Sequence, residues 1–178
     1  MIHLLPIGGV SRSILESLTT SLKKVYKVPS VIHEPVSLPA SSYDPERGQY
    51  SSSPILKSLA RFKATLTQVE RVLGVVRVDL FADDLNFVFG EADPKEGVAV
   101  ISLWRLRPEY YGHAADKALY RQRILKEAVH ELGHTYGLGH CPDPACVMHF
   151  SDRIQDTDKK SVSFCANCES RRMQKQSP

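Results

Sequence analysis

The chain has 178 residues, of which 42% are hydrophobic and 24% charged, with a formal net charge of +3. That length suits one domain, and the composition matches ordinary soluble globular chains, which excludes a disordered, collagen-like or low-complexity protein. No apolar run approaches the roughly 20 residues of a membrane span, and the opening MIHLLPIGGVSRS lacks the charged and long apolar regions of a signal peptide, so a cytoplasmic protein is expected.

Met1 to Ile7 is a short apolar stretch ending at Gly8-Gly9 and is expected to be a first strand. Ser11 is a candidate N-cap, and Ile14, Leu18, Leu22 and Val25 recur at helical spacing. Val28 to Val36 reads as a second strand, weakened by Pro29 and Pro35. Leu38 to Ser53 is rich in Ser, Pro and Tyr and has no periodicity. It is expected to be a long loop, either functional or a plain surface excursion. A helix follows, with Ser53 as N-cap, Pro54 at the first helical position, and Ile55, Leu59, Phe62, Leu66 and Val69 on one face. After Gly74, VVRVDLFADD reads as a third strand, too continuously apolar for a face open to water and therefore central. Asn86 to Phe89 is a short extended piece, GEADPKEG a turn, Val98 to Leu106 a further strand, and Arg107 to Asp116 a polar loop. A long helix then runs from Ala118 to about Tyr136, with Ile124, Leu125, Ala128, Val129 and Leu132 marking its buried side.

That helix ends in HELGHTYGLGH, from His130 to His140. His130 and His134 are four apart, so both imidazoles project from one helical face and can bind one divalent ion. Glu131 is offset by about 100° on the helical wheel. It can stand beside the metal without ligating it, which is where a general base is needed. Two unrelated histidines on a surface helix would look the same over five residues. Gly137, which lets the helix stop and the chain turn, and Gly139 make His140 available as a third ligand. Three histidines with a fourth position open describe a catalytic zinc site. This is the H-E-x-x-H signature of zinc peptidases.

All four cysteines lie close behind: Cys141, Cys146, Cys165 and Cys168. Two pairs separated by eighteen residues have the spacing of a closed, four-thiolate structural zinc site. A redox C-x-x-C or two disulfides are the alternatives, disfavoured respectively by the absence of a thioredoxin-like surrounding and by the expected reducing compartment.

The eleven-residue motif followed by Met148 resembles the metzincin clan of zinc peptidases, and the added cysteine pattern resembles the archaemetzincin family. The matching residues run from His130 to Cys168, about a fifth of the chain. The resemblance implies an α+β, metzincin-like zincin fold, with a twisted mixed β-sheet, an active-site helix and a small C-terminal part held by the cysteine zinc site. It implies one catalytic domain, residues 1–178, divided into 1–136 and 137–178. It implies catalytic zinc on His130, His134 and His140, Glu131 as base, a second zinc on the four cysteines, and Met148 as the Met-turn residue beneath the ligands. Two zinc ions per chain are therefore expected.

Some other metzincins carry a Tyr two residues after that methionine; here the position is Phe150. A second oxyanion stabiliser would have to come from elsewhere, with His113, Tyr110 and Tyr111 as candidates. The substrate is expected to be a short peptide, cleaved in an endo- or aminopeptidase manner, pairing as a strand with an open sheet edge for which Val98 to Leu106 is the candidate. A catalytically silent zinc protein that acts by binding is the competing class. Lys159, Lys160, Arg171 and Arg172 flank the last two cysteines, and at least one is expected over the thiolates. Part of the basic tail is read as charge compensation and not as a nucleic-acid patch, and neither a nucleic-acid nor a membrane partner is expected. The sequence leaves oligomeric state unread.

Overall fold

The computed structural model describes residues 1–82 and 85–176. Strand β1 (Ile2–Ile7) is buried at every position, as an interior strand between two neighbours must be. Helix α1 (Arg12–Tyr26) buries Leu15, Leu18, Leu22 and Tyr26; of the residues read as its face, Leu18 and Leu22 are among these, while Ile14 and Val25 are only partly buried at its margin. It stops where Lys27 turns left-handed, at φ 59°. Strand β2 is only Ser30–Ile32, shorter than Val28 to Val36. Pro29 and Pro35 have no N–H to offer a ladder, and Val36 makes only an isolated bridge to Ile7.

The stretch 38–53 is not structureless. A 3-10 turn at Ala40–Ser42 leads into a hairpin of β3 (Tyr43–Asp44) and β4 (Gln49–Ser51). Helix α2 (Ser52–Ala64) follows with Ser51 as N-cap, two residues before the expected Ser53. Pro54 therefore stands third in the helix, still in the first turn, where its missing N–H has no acceptor to lose.

The expected strand after Gly74 is two elements. Strand β5 (Arg71–Val76) starts earlier and runs through Gly74, and β6 (Leu80–Phe81) belongs to another sheet. Asp83 and Asp84, at the end of that expected strand, lie outside the described residues. Gly74 is a close-approach glycine: a Cβ there would stand 2.8 Å from Leu59 Cδ1 of α2. Next come β7 (Gly90–Asp93), β8 (Val98–Ser102), α3 (Lys117–Thr135), α4 (Ile154–Lys159) and α5 (Ala166–Gln176).

Five strands form a twisted mixed sheet in the order β2-β1-β5-β8-β7. The first four are parallel, and β7 pairs antiparallel with β8, Gly90 opposite Ile101 and Asp93 opposite Val98. A small second sheet has the order β3-β4-β6. Helices α1 and α3 cover one face, packing Leu15, Leu22, Ile124 and Leu132 against Leu73, Val75 and Ile101. Helix α2 covers the other with Ile55 and Leu59 against Leu5, Val72 and Val100. Among the described residues no helix is long and apolar enough to cross a membrane.

One sequence expectation is corrected here. The Val98 to Leu106 segment is not the open edge: β8 is fully buried between β5 and β7 and ends at Ser102. The edge strands are β2 and β7, the latter from the segment read as a turn. Only its second half turns, where Asp93 Oδ1 accepts from the Lys95 and Glu96 N–H groups at 3.0 and 3.1 Å and Gly97 takes φ 66°.

Candidate metal centres and cleft

Helix α3 starts at Asp116, whose carboxylate accepts from the Ala118 and Leu119 N–H groups at 2.9 Å, and carries His130 and His134 on its last turns. Each ring is anchored through its inner nitrogen. His130 Nδ1 donates to Val147 O and His134 Nδ1 to Leu138 O, both at 2.8 Å. That fixes the tautomer. Both Nε2 atoms therefore turn lone pairs on one another, 3.0 Å apart. Two lone pairs so placed repel unless a cation draws on both, so the donor set fits a metal ion. Burial, first among the causes, lowers the proton affinity of His130, His134 and His140.

Past Thr135 the helix closes, with Gly137 at φ 74° and Leu138 N–H returning to Gly133 O at 3.2 Å. The turned chain delivers His140, its ring centroid 5.4 Å from that of His130 and 4.9 Å from that of His134. One ring nitrogen from each of the three lies within 4.8 Å of the others.

These histidines line a cleft of about 520 Å³ together with Phe87, Phe89, Gly90 and Phe150. Glu131 lines it too, although its side chain is buried. Gly90 makes that possible: a Cβ there would stand 2.6 Å from Glu131 Cγ. Burial, and next the Glu127 carboxylate, push the Glu131 carboxyl well above the usual range, with Lys160 opposing them.

Glu127 and Lys160 were not legible as a pair. Glu127 is one turn before Glu131 on α3. Lys160 Nζ sits 3.0 Å from Glu127 Oε1, with both side chains almost wholly buried, and Thr157 Oγ1 donates to the same oxygen at 3.0 Å. Lys160 thus faces α3. Of the other candidates for a cation over the thiolates, Lys159 lies near Asp156 at 4.0 Å. Arg172 is buried, bidentate to Glu169 and above the rings of Tyr26 and Phe164. The only signal for Glu127 was its helical spacing from Glu131; none existed for Lys160.

The four cysteines come together as expected, one sulfur of each within 4.8 Å of the rest. None is in a disulfide; Cys141 and Cys165 Sγ are 3.8 Å apart, and Cys165 N–H points at Cys146 Sγ at 3.3 Å. A backbone donor aimed at sulfur suits a thiolate. Between the two clusters lies a tight turn: His149 N–H donates to Cys146 O at 2.9 Å, and Cys141 N–H to Met148 O at 2.9 Å. Met148 is fully buried, and its sulfur occupies the space a Cβ on Gly133 would need. Gly133 directly precedes His134 on α3, so Met148 packs directly against the histidine-bearing turn.

Tyr110, Tyr111 and His113 are not among the described residues that line the cleft. Tyr110 lies against Arg105, and Tyr111 near Arg123. Phe150 lines the cleft in their place.

Residues 10–175 match the family described as Peptidase family M54. The chain is 44% identical over 173 residues to the archaemetzincin of Pyrococcus furiosus, covering 94% of this chain and 90% of that one. The crystal structure of a zinc-dependent peptidase from Methanocorpusculum labreanum superimposes with a TM-score of 0.89 at 31% identity, covering 97% of this chain and all (100%) of that one. That of an archaemetzincin from Methanopyrus kandleri gives 0.85 at 35% identity, covering 100% and 96%.

Proposed function

The chain belongs to peptidase family M54, with the archaemetzincins, and is a zinc-dependent metallopeptidase; we propose that His130, His134 and His140 hold its catalytic zinc and that Glu131 is its general base. The observation that carries this reading is the pair of Nε2 lone pairs held 3.0 Å apart by main-chain carbonyls, with a third imidazole beside them. When bound, zinc supplies the Lewis acidity that activates water and steadies negative charge on a peptide carbonyl oxygen.

Glu131 does the proton work. Its carboxylate takes a proton from the attacking water and passes it to the departing nitrogen. Gly90 leaves it room to stand at the cleft wall, and Lys160 offsets the neighbouring charge of Glu127. A peptide substrate adds as a strand along the open side of β7, where main-chain pairing gives affinity with little demand on sequence. The phenylalanine wall gives its side chains an apolar surface.

The four cysteines are assigned a second, structural zinc, making two per chain, with Met148 as the Met-turn residue. Residues 1–178 then act as one catalytic unit, 1–136 ending in the ligand-bearing helix and 137–178 carrying the turn and the thiolates. Four thiols without a disulfide suit a reducing, cytoplasmic setting. A catalytically silent binding role is not favoured, because Glu131 stands where a base is needed and has no ligand role of its own.

The test is hydrolysis of short peptides before and after mild chelation. Cleavage should vanish with loss of the histidine-site metal and return with one equivalent of zinc. Cleavage that persists in metal-free protein would defeat the assignment.

A further inference from the structure

One wall of the cleft is formed by residues 85–89, and Leu85, Asn86 and Phe87 line it in succession. Among its described residues the backbone hydrogen bonds are Leu85 N–H to Ala82 O, Val88 N–H to Leu80 O, and Phe89 O accepting from Ser102 N–H. The Leu85 and Asn86 carbonyls are instead taken by side chains of the β3–β4 hairpin, the segment whose role the sequence left open. Arg47 Nη2 donates to both, at 3.1 Å each. Gln49, which is buried, donates to Asn86 O and to Asp79 Oδ2 at 3.0 Å each, while its own oxygen accepts from Arg47 Nε at 3.1 Å.

The array continues behind Phe87. Arg105 grips Asp79 with two bonds of 2.7 Å and lays its guanidinium 4.2 Å from the Phe87 ring centroid. Arg47 is itself seated 4.1 Å over Phe81. Leu85, Asn86 and Phe87 are therefore each held from behind by a group that does not line the cleft. Planar, multiply donating guanidinium groups suit this clasp in a way an ammonium does not.

We propose that Arg47, with Gln49, Asp79 and Arg105, is a positioning device that holds the apolar wall of the cleft ready for a peptide side chain. This rests on the peptide-cleft reading above. A wall ordered in advance spares the substrate the cost of ordering it on binding. Loss of the clasp therefore acts on KM, while the zinc, Glu131 and kcat are left alone.

The test uses the full zinc-loaded chain. Arg47 is exposed, so Arg47→Ala is expected to fold and to keep its zinc. Amide exchange over residues 85–89 should quicken about tenfold with the remaining amides unchanged. KM for a fluorogenic peptide with apolar residues about the scissile bond should rise about fivefold or more, with kcat within about twofold. Arg47→Lys should recover part of both effects. In a Phe87→Ala background the effect of Arg47→Ala on KM should shrink to under about twofold, since coupled residues are not additive. Equal exchange in wild type and Arg47→Ala would overturn the proposal, and so would faster exchange with an unchanged KM. A wild-type protein that turns over no peptide would refute the peptidase reading instead, and the exchange comparison would then decide the clasp alone.

Discussion

At the residue scale, two glycines do what no side chain could. Gly133 sits inside α3, where Gly→Ala ordinarily stabilises a helix by about 1 kcal/mol. Here the added methyl would overlap Met148 Sδ. Gly133→Ala should therefore destabilise the protein by about 1–3 kcal/mol, the cost of overpacking a close-packed site, and weaken zinc at the histidines. Thermal melting and a zinc titration check this, and a raised melting temperature would contradict it. The convergence of His130 and His134 was legible, because four-residue spacing on a helix dictates a shared face. Gly133, Gly90 and the Glu127–Lys160 pair were not, because each answers to a neighbour brought in from a distant part of the chain.

At the element scale, the buried strands and α3 could be read from apolar continuity and helical period. Strand β7 could not. Gly-Glu-Ala-Asp has no alternation, and it becomes a strand only through its register on β8. The same confusion assigned the open edge to β8, whose uninterrupted burial marks an interior strand. The C-terminus of α3 carries a further device that periodicity does not reveal. Tyr136 OH donates to Glu70 Oε1 at 2.8 Å, and the Met1 ammonium lies 3.1 Å from the same carboxylate. Burial raises the Glu70 pKa, but the hydrogen bonds from Tyr136 and the ammonium outweigh it, and the folded value lies below the usual 4.5. A carboxylate depressed in this way contributes stability that is fully present above its unfolded pKa and lost as pH falls through the folded one. Glu70→Gln should thus melt below wild type at neutral pH, with the gap closing under acid conditions. A gap independent of pH between 7 and 3 would refute this.

At the scale of the whole molecule, the two metal clusters share a segment. Cys141 follows His140 directly, and Val147, the residue between Cys146 and Met148, supplies the carbonyl that orients His130. Zinc at the proposed thiolate site would fix both ends of the turn that serves the histidines. Structural zinc is worth about 10 kcal/mol or more in small domains, enough to govern that order. Purified reduced protein should carry two zinc ions per chain, the histidine-bound one leaving first to a chelator. Elemental analysis finding one would remove the cysteine site. Cys165→Ser should weaken zinc at the histidines by about tenfold or more, whereas His134→Ala should leave the thiolate site filled. Unchanged affinity in soluble Cys165→Ser would show two independent sites.

The most direct measurement is peptide hydrolysis by wild type and Glu131→Ala, with elemental analysis of both. With Glu131 proposed as base and not as ligand, the two proteins should carry the same zinc, while the variant cleaves slower by about 10² to 10⁴-fold. Equal zinc with activity retained within about tenfold would contradict the assignment of Glu131, and with it the chemistry proposed for the cleft.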